Sequence, residues 1–178
     1  MTYYGGKELA ESFRTVRKNT LTIADEIPED KYSVRATPDV MSIGEMLAHL
    51  AISPMWQIDI HGQKVDRIEF ATFSARLQQA KAEQDALRSK ADIVRALKEN
   101  GERFAAFLES LDEATLSSTV SFPPPVQPSI KTRFEMVLGA KEHEMHHRGQ
   151  LMLLQRMVGQ VPHLTRARQQ TQAQAANR

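Results

Sequence analysis

The chain has no cysteine, which excludes a disulfide framework, a thiolate nucleophile and any thiolate metal site. Charge of one sign is also lacking. A net charge of +1 over 178 residues gives no strong global attraction to nucleic acid or to an anionic membrane. Aromatic residues are scarce, at 6%. The one acid-free basic cluster, Arg166, Arg168 and Arg178, has none of the interleaved aromatics or broad basic face of a nucleic-acid binder. No apolar run approaches the length needed to span a bilayer. The start, Met1-Thr2-Tyr3-Tyr4-Gly5-Gly6-Lys7-Glu8, lacks the basic opening and apolar run of a signal peptide, so a cytoplasmic protein is expected.

What is present is ordinary in bulk: 41% hydrophobic and 25% charged residues, as in an average soluble protein. One domain with a substantial core is the default at this length. Apolar residues recur at helical spacing over four long stretches, with no internal repeat and little sign of strand. The first runs from about Lys7 to Ile27, with Leu9, Phe13, Val16, Ile23 and Ile27 on a stripe interrupted by Thr20, and Pro28 helps to stop it. After a loop containing Pro38-Asp39, the second opens at the capping box Ser42-Ile43-Gly44-Glu45 and continues to about Ile60, kinked at Pro54. Residues 62–88 read as a long polar connection with one short helix around Ser74 to Leu87. The third helix starts near Ser89, carries Ile93, Leu97, Phe104, Leu108 and Leu111 inward, and has a weak point at Gly101. A loop with Pro123-Pro124-Pro125 and Pro128 precedes the fourth, which opens at Thr132-Arg133-Phe134-Glu135 and ends near Gly159, with Pro162 beyond. The expected architecture is all-α: a four-helix bundle over residues 1–164 with a long connection between its second and third helices. A polar tail over residues 165–178 follows, with a composition that predicts mobility.

The histidines are placed by the same periodicity. Steps of three and four link Met136, Ala140, His143, His147, Leu151, Leu154 and Val158, so both imidazoles are predicted to point inward. In the second helix they link Met46, His49, Ile52, Trp56 and Ile60. A lone histidine on an apolar face is ordinarily a core residue satisfied by a hydrogen bond. Three buried imidazoles each carry a desolvation cost, and one shared divalent ion accounts for all of them. An i, i+4 pair can offer two nitrogens to one ion, which makes His49, His143 and His147 the predicted metal ligands. His146 lies about 100° from His147 around the helix and reads as a surface or ligand-supporting residue. His61 and His163 read as ordinary surface histidines.

His143-Glu144-Met145-His146-His147 also matches H-E-x-x-H, the zinc protease signature in which the glutamate is general base. No aspartate or glutamate follows Glu144, and the third histidine of the longer variant would fall on Leu153. The Glu-x-x-His of di-iron bundles needs a second copy on another helix, and the sequence has none. Glu144 and Glu45, the carboxylates nearest the ligands in sequence, are the catalytic candidates, able to orient an imidazole or shuttle a proton. The plainer reading makes both solvated surface glutamates. Arg148, His146 and Trp56 are the candidates for substrate contact, Arg148 being suited to an anion.

Four segments stand in an order that resembles the DinB/YfiT-like family of metal-dependent enzymes, over about Phe13 to Pro162. They are Phe13 to Thr20, Ile27-Pro28-Glu29-Asp30-Lys31-Tyr32, Ser42 to Leu50, and His143 to Leu151 with its ending His147-Arg148-Gly149-Gln150-Leu151. The resemblance implies a four-helix bundle, often a homodimer, and one divalent metal, zinc or nickel, held by His49, His143 and His147. It also implies, for some relatives, transfer or isomerisation with a low-molecular-weight thiol such as bacillithiol, mycothiol or glutathione. Three protein ligands leave an open position for water, hydroxide or a thiol substrate. The expectation is a thiol-dependent S-transferase or a hydrolase acting on a small molecule, without nucleic-acid or membrane partners. A non-catalytic metal-binding stress-response protein would show a closed coordination shell instead. A metal-free dimeric interaction module would keep its stability in chelators.

Overall fold

Capping chemistry fixes where two of the long helices begin. The Glu45 carboxylate accepts from the Ser42 amide at 2.7 Å while the Ser42 hydroxyl accepts from the Glu45 amide. Thr132 and Glu135 repeat the exchange, the carboxylate accepting from the Thr132 amide at 2.8 Å. In the computed structural model, which describes residues 4–176, these boxes open α2 (Ile43–Ile52) and α7 (Arg133–Met157). The other long helices are α1 (Gly6–Glu26) and α5 (Lys90–Glu109). Met1 to Tyr3 of the expected start, and Asn177 and Arg178 of the expected tail, lie outside the described residues.

Side-chain pairs give the helix directions. Arg17 meets Glu144 and Glu26 meets Gln155, so α1 and α7 run parallel. Lys90 reaches the Ile27 carbonyl while Arg14 reaches Glu109, so α5 runs against α1. Ile43 and Leu47 cluster with Leu151 and Leu154, whereas His49, nearer the end of α2, meets His143, so α2 runs against α7. The order is up, down, down, up. α1 packs on α5 and α7, and α2 packs on the same two, which sets α1 and α2 on opposite corners of the bundle. The core between them includes Phe13 edge-to-face with Phe104 at 4.9 Å, and the buried Ile23, Leu47, Leu97 and Leu151.

This topology explains the long connection. α2 and α5 point the same way, so the chain must travel back along the bundle between them. Within that return lies α4 (Phe70–Ala86), packed on α2. It starts before the Ser74 expected from sequence, and none of its residues is buried, which leaves little apolar periodicity to read. The kinked second helix expected to reach Ile60 is two helices. Pro54 has no amide to donate and its ring displaces the preceding turn, so α3 (Met55–Gly62) starts afresh.

Between α5 and α7 lie α6 (Glu113–Ser117) and an antiparallel hairpin of β1 (Thr119–Ser121) and β2 (Ile130–Thr132), which pairs Val120 with Lys131. The hairpin was not expected, because three-residue strands are too short to show alternation; the proline-rich stretch is its loop. Gly159 follows α7 at φ 83°, a conformation that favours glycine. Beyond it, α8 (His163–Ala176) covers most of the polar tail expected from residue 165 onward, where the sequence predicts no helix. Its alanines, glutamines and arginines are good helix formers but make no apolar stripe, which is why periodicity missed it.

His61 corrects another expectation. It is not a surface residue but buried at the end of α3, with Nε2 at 2.8 Å from the Gln57 side-chain oxygen and Nδ1 at 3.1 Å from Arg133 Nη1. Arg133 is buried as well, donating to the Val65 carbonyl at 2.9 Å, Asp66 at 2.8 Å and the Ser118 hydroxyl at 2.9 Å. Burial first, and the Arg133 charge second, push the His61 pKa down to about 4. The unfolded value is about 6.5, so between the two the unfolded chain binds more protons than the fold does. Stability of the metal-free protein should therefore fall as pH drops through that window. Urea midpoints recorded from about pH 7 to pH 4 test this, and a midpoint that stays constant would contradict it.

Candidate metal centre

His49 faces α7 from the last turn of α2, and His143 and His147 face α2 from one side of α7. Their Nε2 atoms converge: His49 to His143 is 3.0 Å and His147 to His143 is 3.1 Å. Each neutral imidazole holds one proton, and the His147 proton is committed elsewhere. Its Nδ1 donates to the Gln150 side-chain oxygen at 2.7 Å, leaving a bare lone pair on Nε2. The Gln150 amide nitrogen donates onward to His146 Nε2 at 3.2 Å, and His146 itself is exposed. His143 Nε2 can give a proton to one neighbour but not to both. Hydrogen bonds therefore cannot satisfy the three facing nitrogens.

The arrangement fits a divalent ion. Nitrogens about 2.0–2.1 Å from one tetrahedral centre stand about 3.3 Å apart, close to the spacing seen here. The electrostatics point the same way. Burial first, then the neighbouring histidines, push the His143 pKa down to about 4. Burial lowers His49, with a further contribution from His147, and burial lowers His147 against an opposing effect of Gln150. Imidazoles held neutral present lone pairs at neutral pH.

Glu144 is not a solvated surface residue and is not beside the cluster as a base. It is buried, and Arg17 holds it: Nε donates to Oε1 at 2.9 Å and Nη2 to Oε2 at 2.8 Å. Arg17 is equally buried and also donates to the carbonyls of Leu97 at 2.8 Å and Leu50 at 2.9 Å. This occupancy removes the H-E-x-x-H reading. Glu45 is spent on the α2 cap and on Arg35 at 3.0 Å. Among the described residues, no carboxylate joins the histidine cluster. Sequence reasoning missed Arg17, although it lies four residues after Phe13 and three before Thr20, on the inward stripe of α1.

A cavity of about 520 Å³ opens beside His49 and His143, walled by α3, α4, α7 and the hairpin. Trp56 lines it; His146 and Arg148 do not. Gln84 and Phe73 of α4 line it too, and the weak periodicity of their helix gave no sequence signal for them. His163, expected at the surface, is half-buried with Nε2 at 3.0 Å from the Asn19 side-chain oxygen.

The Arg17 network generates a stability prediction. Removing one partner of a fully buried ion pair leaves an uncompensated charge and costs about 3–5 kcal/mol. Arg17→Met should lose this much in urea unfolding, and the double variant Arg17→Met with Glu144→Leu should recover most of it. A single variant within 1 kcal/mol of the parent, roughly the worth of a surface pair, would contradict this.

No helix among the described residues is long and apolar enough to cross a membrane. No curated protein matches the chain. Among solved structures, a DinB-like protein from Bacillus subtilis is 22% identical with a TM-score of 0.63, covering 86% of this chain and 94% of that one. YfiT from Bacillus subtilis, described as a probable metal-dependent hydrolase with an unusual four-helix bundle topology, is 14% identical with a TM-score of 0.66, covering 90% and 91%. The colibactin self-resistance protein ClbS, solved in complex with double-stranded DNA, is 13% identical with a TM-score of 0.62, covering 88% and 98%. At these identities the likeness is one of fold. The ClbS complex overturns the expectation that nucleic acid is foreign to such proteins: low net charge and scarce aromatics describe a whole chain, whereas binding needs only a local surface. The model of the DinB superfamily matches residues 12–151, most of the chain, and the protein belongs to that superfamily.

Proposed function

We propose that this protein is a metal-dependent enzyme in which His49, His143 and His147 hold one divalent ion, zinc or nickel, beside a small-molecule cavity. The observation that carries the reading is the convergence of three Nε2 atoms that hydrogen bonding cannot satisfy. Three protein ligands are the number found in catalytic rather than structural sites, where one position stays open. An ion bound there supplies Lewis acidity, polarising a substrate oxygen or favouring the ionised form of a thiol or water.

The chain's own residues do the rest. Gln150 holds the His147 ring by its Nδ1 proton and fixes which nitrogen faces the site. Glu144 and Glu45 are engaged elsewhere, and among the described residues no carboxylate joins the histidine cluster as a general base. Reactions whose nucleophile needs no protein base are therefore favoured: hydrolysis, or S-transfer from a low-molecular-weight thiol. The description of YfiT as a probable metal-dependent hydrolase supports the first of these.

Elemental analysis of protein purified without a metal-affinity tag tests the ligand set. The parent should carry about one equivalent of divalent metal, lost in His49→Ala and His143→Ala. A parent free of metal even after reconstitution with zinc and nickel would sink the reading. Gln150→Ala should keep the site but weaken metal affinity by about 10–100-fold, read by competition with a chelating dye.

A further inference from the structure

The chemistry of the cavity beside the histidines is uneven, and that unevenness specifies a ligand. Trp56 and Phe73 meet edge-to-face, ring centroids 6.2 Å apart, and share one apolar cluster with Phe122 and Met136. Most charges on the lining are already matched. Arg76 pairs with Asp59 at 3.1 Å and Glu83 at 3.3 Å, and Lys81 pairs with Asp85. The Glu135 carboxylate accepts from both the amide and the hydroxyl of Thr132 at 2.8 Å.

Lys131 is different. It is half-buried, held in place by its strand pairing with Val120, and its Nζ lies 5.8 Å from the Phe122 ring centroid. The ion pairs formed among the described residues do not include that ammonium. Glu135 feels its charge only as the last of several influences, after its bonds to Thr132. A cation without a direct ion pair, in a largely apolar wall, can gain a charge-assisted contact from an anion carried by whatever fills the space. The volume, about 520 Å³, lies within the range of small-molecule sites.

Building on the metal reading, we propose that the cavity takes a small molecule with a flat apolar body and one anionic group. The body lies against Trp56, Phe73 and Phe122, the anion meets Lys131, and a third group reaches the histidine nitrogens.

Trp56 is the only tryptophan in the chain, so its fluorescence reports on this wall alone. The metal-free protein is titrated with 3-phenylpropionate and with its uncharged amide, exciting beyond the tyrosine band. Both probes should change Trp56 emission saturably, the carboxylate binding about tenfold more tightly, as one charge-assisted contact warrants. Lys131→Met should abolish that preference and leave amide binding unchanged, which also reports that the variant is folded. Absence of a saturable change with either probe, equal affinities in the parent, or a preference surviving in Lys131→Met would each overturn the proposal. Metal content is measured on the same preparation. A carboxylate preference in protein that takes up no metal removes the ion and keeps this cavity assignment, whereas bound metal without the preference does the reverse.

Discussion

The guanidinium of Arg17 leaves α1 and reaches every other long helix of the bundle: Leu50 of α2, Leu97 of α5 and Glu144 of α7. Two opposite charges taken out of water carry a large desolvation penalty, recovered only when geometry and hydrogen bonding are complete. Here the contacts are bidentate to Glu144 and supplemented by two backbone carbonyls, so the pair tolerates one arrangement of the four helices. Its partners adjoin the histidines in sequence, Glu144 beside His143 and Leu50 beside His49. Turning Glu144 toward Arg17 fixes the rotation of α7 and thereby aims His143 and His147 at α2. The ion pair positions the candidate metal site without touching it. Gly101 belongs to the same constraint: a Cβ there would stand 3.0 Å from Arg17 Cγ and 3.2 Å from Nη1. A residue that weakens α5 as a helix is what leaves room for the arginine at its side.

The up, down, down, up order carries a functional consequence. It forces a long return between α2 and α5, and that return supplies α4 as a wall of the cavity next to the histidines. α4 buries none of its residues, so it contributes little to the core and much to the lining. A larger hollow of about 710 Å³ lies at the other end of α4, bordered by Tyr32, Gly44 and Glu45. The histidines do not line it, and the carboxylate of Glu45 at its edge is already committed to Arg35 and the α2 cap. Size alone would point to that hollow; donor chemistry points to the smaller one.

Several features could be read directly from residue order. The capping pairs Ser42 with Glu45 and Thr132 with Glu135 marked the starts of α2 and α7, because the hydrogen bonds that open a helix are local. The stripes through His49 and through His143 and His147 were legible because a helix repeats on one face every three or four residues. Other features were not. His61 looked like a surface histidine at a helix end, and only Arg133, distant in sequence, makes it a buried one. Glu144 looked solvated because its partner lies on α1. The start of α4 was placed late, at Ser74 instead of Phe70, and α8 escaped, because neither presents the apolar stripe on which the periodicity argument depends.

The sequence by itself determined the all-α class, the positions of the capped helices and the histidine-bearing faces, since each rests on interactions within a few residues of chain. Tertiary structure alone decided that α2 runs against α7 so that three nitrogens meet, that Glu144 turns to Arg17, and that Lys131 and Trp56 line one cavity. Those outcomes depend on which distant groups must be paired once water is excluded, and residue spacing along one helix holds no information about them.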